Sequence, residues 1–196
     1  MKSLFKKVVL IAVMVTGLVS MANERDVNIK IKGLDSKLIQ FTLNNFDGDM
    51  QISMKDSEGH VFYTEDFNGI VYTKTYDLKT LPKGVYFIEL NGETKIKTFP
   101  IHVKENKLEF DYDKTEVYYK PVVVVNESLV KITKLSLNLD PLKVEMYNSE
   151  NDLIYTETLK GRMDLKRSLN LEELPEGHYN LVLTTKEEVL VKEIEI

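Results

Sequence analysis

One stretch of this chain occurs twice. Leu78, Leu81, Pro82, Gly84, Tyr86 and Leu90 recur as Leu171, Leu174, Pro175, Gly177, Tyr179 and Leu183, each 93 positions later. The echo continues outside that motif: Tyr63-Thr64-Glu65 returns as Tyr155-Thr156-Glu157, Gly69 as Gly161, and the strand-like run Ile96 to Val103 as Val189 to Ile196. About 85 residues per copy is enough for a small sandwich that relies on its own core. The chain is read as a tandem pair of modules.

The repeated motif has a direct physical reading. Pro82 presets φ for a turn, Gly84 is suited to a positive φ that closes it, and Val85 to Leu90 then opens a strand. A tyrosine just after such a turn has the placement of the tyrosine corner of immunoglobulin-like sandwiches, whose hydroxyl bonds back to upstream backbone. Leu81, Pro82, Gly84 and Tyr86, with Leu174, Pro175, Gly177 and Tyr179, are therefore expected to be structural corner residues.

The rest of each copy reads as short strands. Val27, Ile29 and Ile31 alternate with polar residues, as do Met50, Ile52 and Met54, and no stretch keeps a helical period. Asp56-Ser57-Glu58-Gly59 suits a hairpin with Gly59 in the left-handed region; Asn151 stands in its place in the second copy, and Asn is the residue that best tolerates that region after Gly. About seven strands per copy predict an all-β fold of two tandem Greek-key sandwiches. The expected boundaries are 26–103 and 117–196, joined by a stiff connector over 104–116. The second strand of the second module is expected over Val130 to Leu139.

Ahead of the modules stand Lys2, Lys6 and Lys7, an apolar run from Val8 to Val19, and Ser20-Met21-Ala22. This is the layout of a secretory signal peptide over 1–22, too short for a comfortable membrane span. Its removal predicts an exported protein, periplasmic or at the cell surface, that is not an integral membrane protein. The formal charge of −5 then loses three positive charges and becomes −8. Nucleic acid is a poor partner for such a chain. Cysteine is absent, which excludes disulfides, thiolate metal sites and a thioether lipid anchor.

No catalytic, cofactor-binding or metal-ligating constellation is legible, and no enzyme activity or cofactor is expected. His60, His102 and His178 fall in three different elements, and their counterparts in the other copy are Asp152, Glu195 and Val85. Asp47-Gly48-Asp49 and Asp111-Tyr112-Asp113 lack the ligand count of a calcium loop and read as turns. Phe62, Phe67 and Tyr72 stand out in the first module as a candidate ligand surface for glycan or protein, to the extent that they escape the core.

The run Met54 to Tyr63, the corner Leu78 to Ile88 and the lysine-bearing last strand resemble the small immunoglobulin-like modules of Bacteroidota. They are especially similar to the C-terminal sorting domain of cargo of the Por (type IX) secretion system, and Met146 to Tyr155 with Leu171 to Leu183 repeats the likeness. The resemblance implies an immunoglobulin-like sandwich, and it implies the secretion machinery as a partner if the C-terminal module acts as a sorting domain. The principal expectation is a non-enzymatic two-module protein with a structural or binding role at the cell envelope.

Overall fold

The computed structural model describes the backbone of residues 28–34 and the complete residues 37–44 and 48–196. The expected signal peptide and Asp47 lie outside the described residues. The chain divides into two compact units between Tyr118 and Tyr119. Among the described residues no helix is long and apolar enough to cross a membrane.

The strands of the first unit are β1 (Asn28–Leu34), β2 (Leu38–Asn44), β3 (Met50–Asp56), β4 (Val61–Phe67), β5 (Val71–Asp77), β6 (Gly84–Asn91), β7 (Lys95–Val103) and β8 (Leu108–Phe110), with β9 (Glu116–Tyr119), which belongs to this unit up to Tyr118. One sheet has the order β1-β2-β5, the other β4-β3-β6-β7-β8, with β9 also paired to β7. Successive strands thus swap sheets after β2 and again around β5, which is the Greek-key wiring of an immunoglobulin-like sandwich. Period-two alternation sets the burial. In β2, Ile39, Phe41 and Leu43 are wholly buried while their neighbours are half-exposed. They meet Ile52 and Met54 of β3 and Ile88 and Leu90 of β6 in one core. Each such side chain contributes about 1.5–3 kcal/mol by leaving water.

The second unit repeats the plan with β10 (Val122–Asn126), β11 (Leu129–Leu135), β12 (Leu142–Tyr147), β13 (Leu153–Leu159), β14 (Asp164–Asn170), β15 (His178–Thr184) and β16 (Val189–Glu195). Its sheets are β10-β11-β14 and β13-β12-β15-β16. Val130, Ile132, Val144, Met146, Leu181 and Leu183 belong to its core. Both units carry a register shift at the same place, between Met54 and Lys55 in one and between Met146 and Tyr147 in the other.

Three expectations are corrected. Part of the expected connector is sheet: Leu108 and Phe110 pack on the first core, and β8 pairs antiparallel with β7, since an alternating apolar pair beside an open sheet edge gains both burial and ladder bonds. The expected second strand of the second module ends at Leu135 rather than Leu139, where Leu139 takes a positive φ of 61° in the turn toward β12. Gly84 lies outside the positive-φ region, because it is already the first residue of β6, paired with Val103 and held extended.

Candidate functional site

The corners are built alike. Asp77 Oδ1 accepts from the Lys79 amide at 2.9 Å, and the Leu81 amide donates to the Leu78 carbonyl at 3.1 Å. Asn170, Glu172, Leu174 and Leu171 repeat both bonds at 3.1 and 3.0 Å. These local bonds turn the chain before the proline in both modules. The Tyr86 hydroxyl, on a half-buried ring, donates to the Pro82 carbonyl at 3.2 Å in a solvent-exposed bond. The Tyr179 hydroxyl donates to the Pro175 carbonyl at 2.7 Å, from a ring that is only 6% exposed. Gly177 differs from Gly84: its φ is 155°, and it exchanges two backbone hydrogen bonds of 3.1 Å with Ile196.

The hairpins repeat too. Asp56 Oδ1 accepts from the amides of Glu58 and His60 at 2.9 and 3.0 Å, and Asn148 Oδ1 does the same for Glu150 and Asp152 at 3.0 and 2.8 Å. Gly59 and Asn151 take φ of 89° and 64°, the left-handed conformation expected of both.

A polar cluster spans the open side of each sandwich, from β4 to β5 and from β13 to β14. Glu65 accepts from the Tyr63 hydroxyl, from the Tyr72 hydroxyl at 2.9 Å and from Lys74 Nζ at 2.6 Å. The Tyr72 and Tyr76 hydroxyls lie 2.8 Å apart, and Lys74 Nζ sits over the Tyr63 and Tyr76 rings at 5.6 and 5.7 Å. The hydrogen bond from Lys74, then that from Tyr63, holds the Glu65 carboxyl below the usual glutamate range. Burial pushes the Tyr72 phenol up to about 12 and raises Tyr76 further. In the second module Glu157 accepts from Tyr155 and from Arg167. The repeat of Tyr-Thr-Glu was legible in the sequence. The cation that completes it was not, since it stands on a different strand at a spacing that no local motif marks.

The aromatic residues picked out as a ligand surface fall in two places. Phe67 and Tyr72 stack with ring centroids 4.0 Å apart and pack, partly buried, on the first core. Phe62 is 46% exposed and meets Tyr86 edge to face at 5.8 Å. Four strand residues lie between it and Phe67, so the three rings do not form one platform.

His60 lies 3.3 Å from Asp56, and His178 lies 3.4 Å from Glu193, both at exposed positions. Among the described residues no group of three or more His, Asp or Glu is placed to hold a metal ion. A cleft of about 410 Å³ lies between β13 and β14. Most of its charges are paired, Asp164 with Arg162 at 3.5 Å and with Lys166 at 3.3 Å, and Glu157 with Arg167. Lys134 was missed in the sequence. By register it occupies the place of Leu43, inside the second sandwich, where it donates to the Tyr119 carbonyl at 3.0 Å and is only 4% exposed. Burial pulls its pKa below that of an ordinary lysine.

The chain is similar to the BSP domain of a biofilm associated protein, with 14% identity over 84% of this chain and 29% of that one at a TM-score of 0.28. It is also similar to the FN1–FN3 domains of chicken CNTN1, with 9% identity over 86% of this chain and 63% of that one, again at a TM-score of 0.28. The chain therefore spans less than two thirds of either structure. No curated protein matches it. The family described as the secretion system C-terminal sorting domain matches twice, over residues 26–104 and 127–196, one match on each sandwich. Two corners, two hairpins and two sandwiches thus carry one family pattern over most of the sequence: the chain is an exported immunoglobulin-like protein that belongs to the secretion system C-terminal sorting domain family.

Proposed function

We propose that this chain is a non-enzymatic protein of two sandwich modules, the first running from about residue 26 through β8 rather than ending at 103 and the second reaching Ile196, with a structural or binding role at the cell envelope. The observation that carries the reading is the double family match on two like sandwiches. The polar clusters support it. Glu65, Tyr63 and Lys74, like Glu157, Tyr155 and Arg167, satisfy one another across the open side of a sandwich, an arrangement suited to holding strands together rather than to proton transfer. Cell fractionation of the tagged chain tests the location: it is expected in the envelope or medium without residues 1–22, and cytoplasmic retention of the whole chain contradicts the reading.

A second reading is favoured by the match over 127–196, in which the C-terminal module directs sorting and the secretion machinery is its partner. Fusing Tyr119–Ile196 to an exported reporter, in a host that carries the Por system, decides it. Surface display of the reporter supports sorting, and a reporter that stays periplasmic removes it.

A further inference from the structure

The seam between β4 and β5 and its counterpart between β13 and β14 are filled differently. In the first module Phe67, Tyr72 and Tyr76 pack there on or within the core, and the Tyr72 hydroxyl bridges Glu65 and the Tyr76 hydroxyl. The repeat and the strand registers place Leu159, Leu165 and Leu169 at those three positions. Leucine is smaller than tyrosine and brings no hydroxyl. Met163 also adds one residue to the connection that leads into β14. At this seam lies the cleft of about 410 Å³, lined by residues between Glu157 and Arg167.

The charge of the seam has changed with its packing. Lys160, Arg162, Lys166 and Arg167 line the cleft together with Glu157 and Asp164, an excess of two positive charges in a chain whose formal charge is −5. The first module holds Asn68, Ile70, Thr73 and Lys74 at the places of those four cations, so three of them are particular to the second. The acids position the cations without neutralising them. Asp164 is shared by Arg162 and Lys166, and Lys160 has no acidic partner among the described residues. The Arg167 guanidinium is anchored but incompletely bonded: Nη2 donates to Glu157, whereas Nε is buried and meets no acceptor among the described residues. A buried N–H without a partner is disfavoured, and the Arg167 side chain is 24% exposed, so an oxygen arriving from the cleft gains a bond that Glu157 leaves unmade.

We propose that the cleft between β13 and β14 binds a small organic phosphate, a phosphate monoester of about the size of a monosaccharide. A phosphate monoester carries about −1.5 to −2 charges at neutral pH, which matches the excess of the lining. Its oxygens accept from Lys160, Arg162 and the unmet N–H of Arg167. A bare ion needs far less room than this cleft offers, and the volume falls within the range of small-molecule sites. Leu159 and Leu165, both buried, give the organic part an apolar floor. Such a ligand gives the binding role proposed above its chemistry, and the site is tested on the purified chain, independently of where that chain is exported or whether it directs sorting.

The probes are glucose 6-phosphate, inorganic phosphate and glucose, each titrated calorimetrically into the full chain at low salt. Glucose 6-phosphate is expected to bind saturably and several-fold more tightly than inorganic phosphate, and glucose not to bind. Lys160→Gln and Arg162→Gln, at exposed positions, are each expected to weaken glucose 6-phosphate binding about two- to fivefold. Asp164→Asn removes the competing carboxylate and is expected to tighten binding by a similar factor, a gain that a misfolded variant does not give. Glucose 6-phosphate that fails to bind, or that inorganic phosphate or glucose equals, overturns the proposal. So does binding that Asp164→Asn leaves no tighter and the two glutamine variants leave no weaker, since the ligand then sits elsewhere.

Discussion

Tyr86 and Tyr179 make the same hydrogen bond in different surroundings, and their substitutions separate accordingly. Tyr179→Phe strands the Pro175 carbonyl beside a buried ring and is expected to cost about 1–2 kcal/mol, while the more exposed and longer bond of Tyr86 makes Tyr86→Phe cost less than about 1 kcal/mol. Urea unfolding of the two variants measures the difference. The glycines diverge in the same sense. A Cβ on Gly84 meets the Tyr86 ring at an ordinary 3.6 Å, so Gly84→Val is expected to be nearly neutral, whereas Gly177→Val forces a β-branched residue to a φ of 155° at about 1–3 kcal/mol. The motif Leu-Pro-x-Gly-x-Tyr was legible as a corner, but the conformation of its glycine was not. Where β6 begins depends on pairing with β7, which the local sequence does not encode.

At the scale of elements, alternation made most strands readable, because half-buried sheets force apolar and polar residues to alternate. What it missed lies between strands. Glu65 and Lys74 meet only because β4 and β5 are the neighbouring edges of two sheets, and Lys134 looked like one more surface lysine on an alternating strand. The Glu65 carboxyl sits below its ordinary value in the folded chain, so it contributes stability above about pH 4.3 that is lost as pH falls through the lowered value. Glu65→Gln is expected to cost about 1 kcal/mol near neutral pH and to flatten the acid limb of a stability profile taken from pH 2 to 7. The tyrosines act at the other end. Tyr72, raised to about 12, favours the fold below about pH 10, and that contribution fades as pH rises through 12. For Lys134, burial disfavours the charged form. Lys134→Met, which restores the apolar character of Leu43, is therefore expected to raise the melting temperature of the second module, by about 1 kcal/mol of added stability, with the larger gain at lower pH.

For the whole molecule, the repeat carried the architecture, since two copies of one corner at a domain-length spacing admit few folds besides tandem sandwiches. Function was less legible. The motifs that recur are those a sandwich needs in order to close, so they mark the family without marking a partner. The central claim is that the chain is two like modules, each with its own core; the two sets of buried core residues have no member in common. Differential scanning calorimetry of the full chain and of Gly177→Val tests it most directly. Two transitions are expected, of which the substitution lowers one and leaves the other in place; a single transition that moves as a whole would contradict the account.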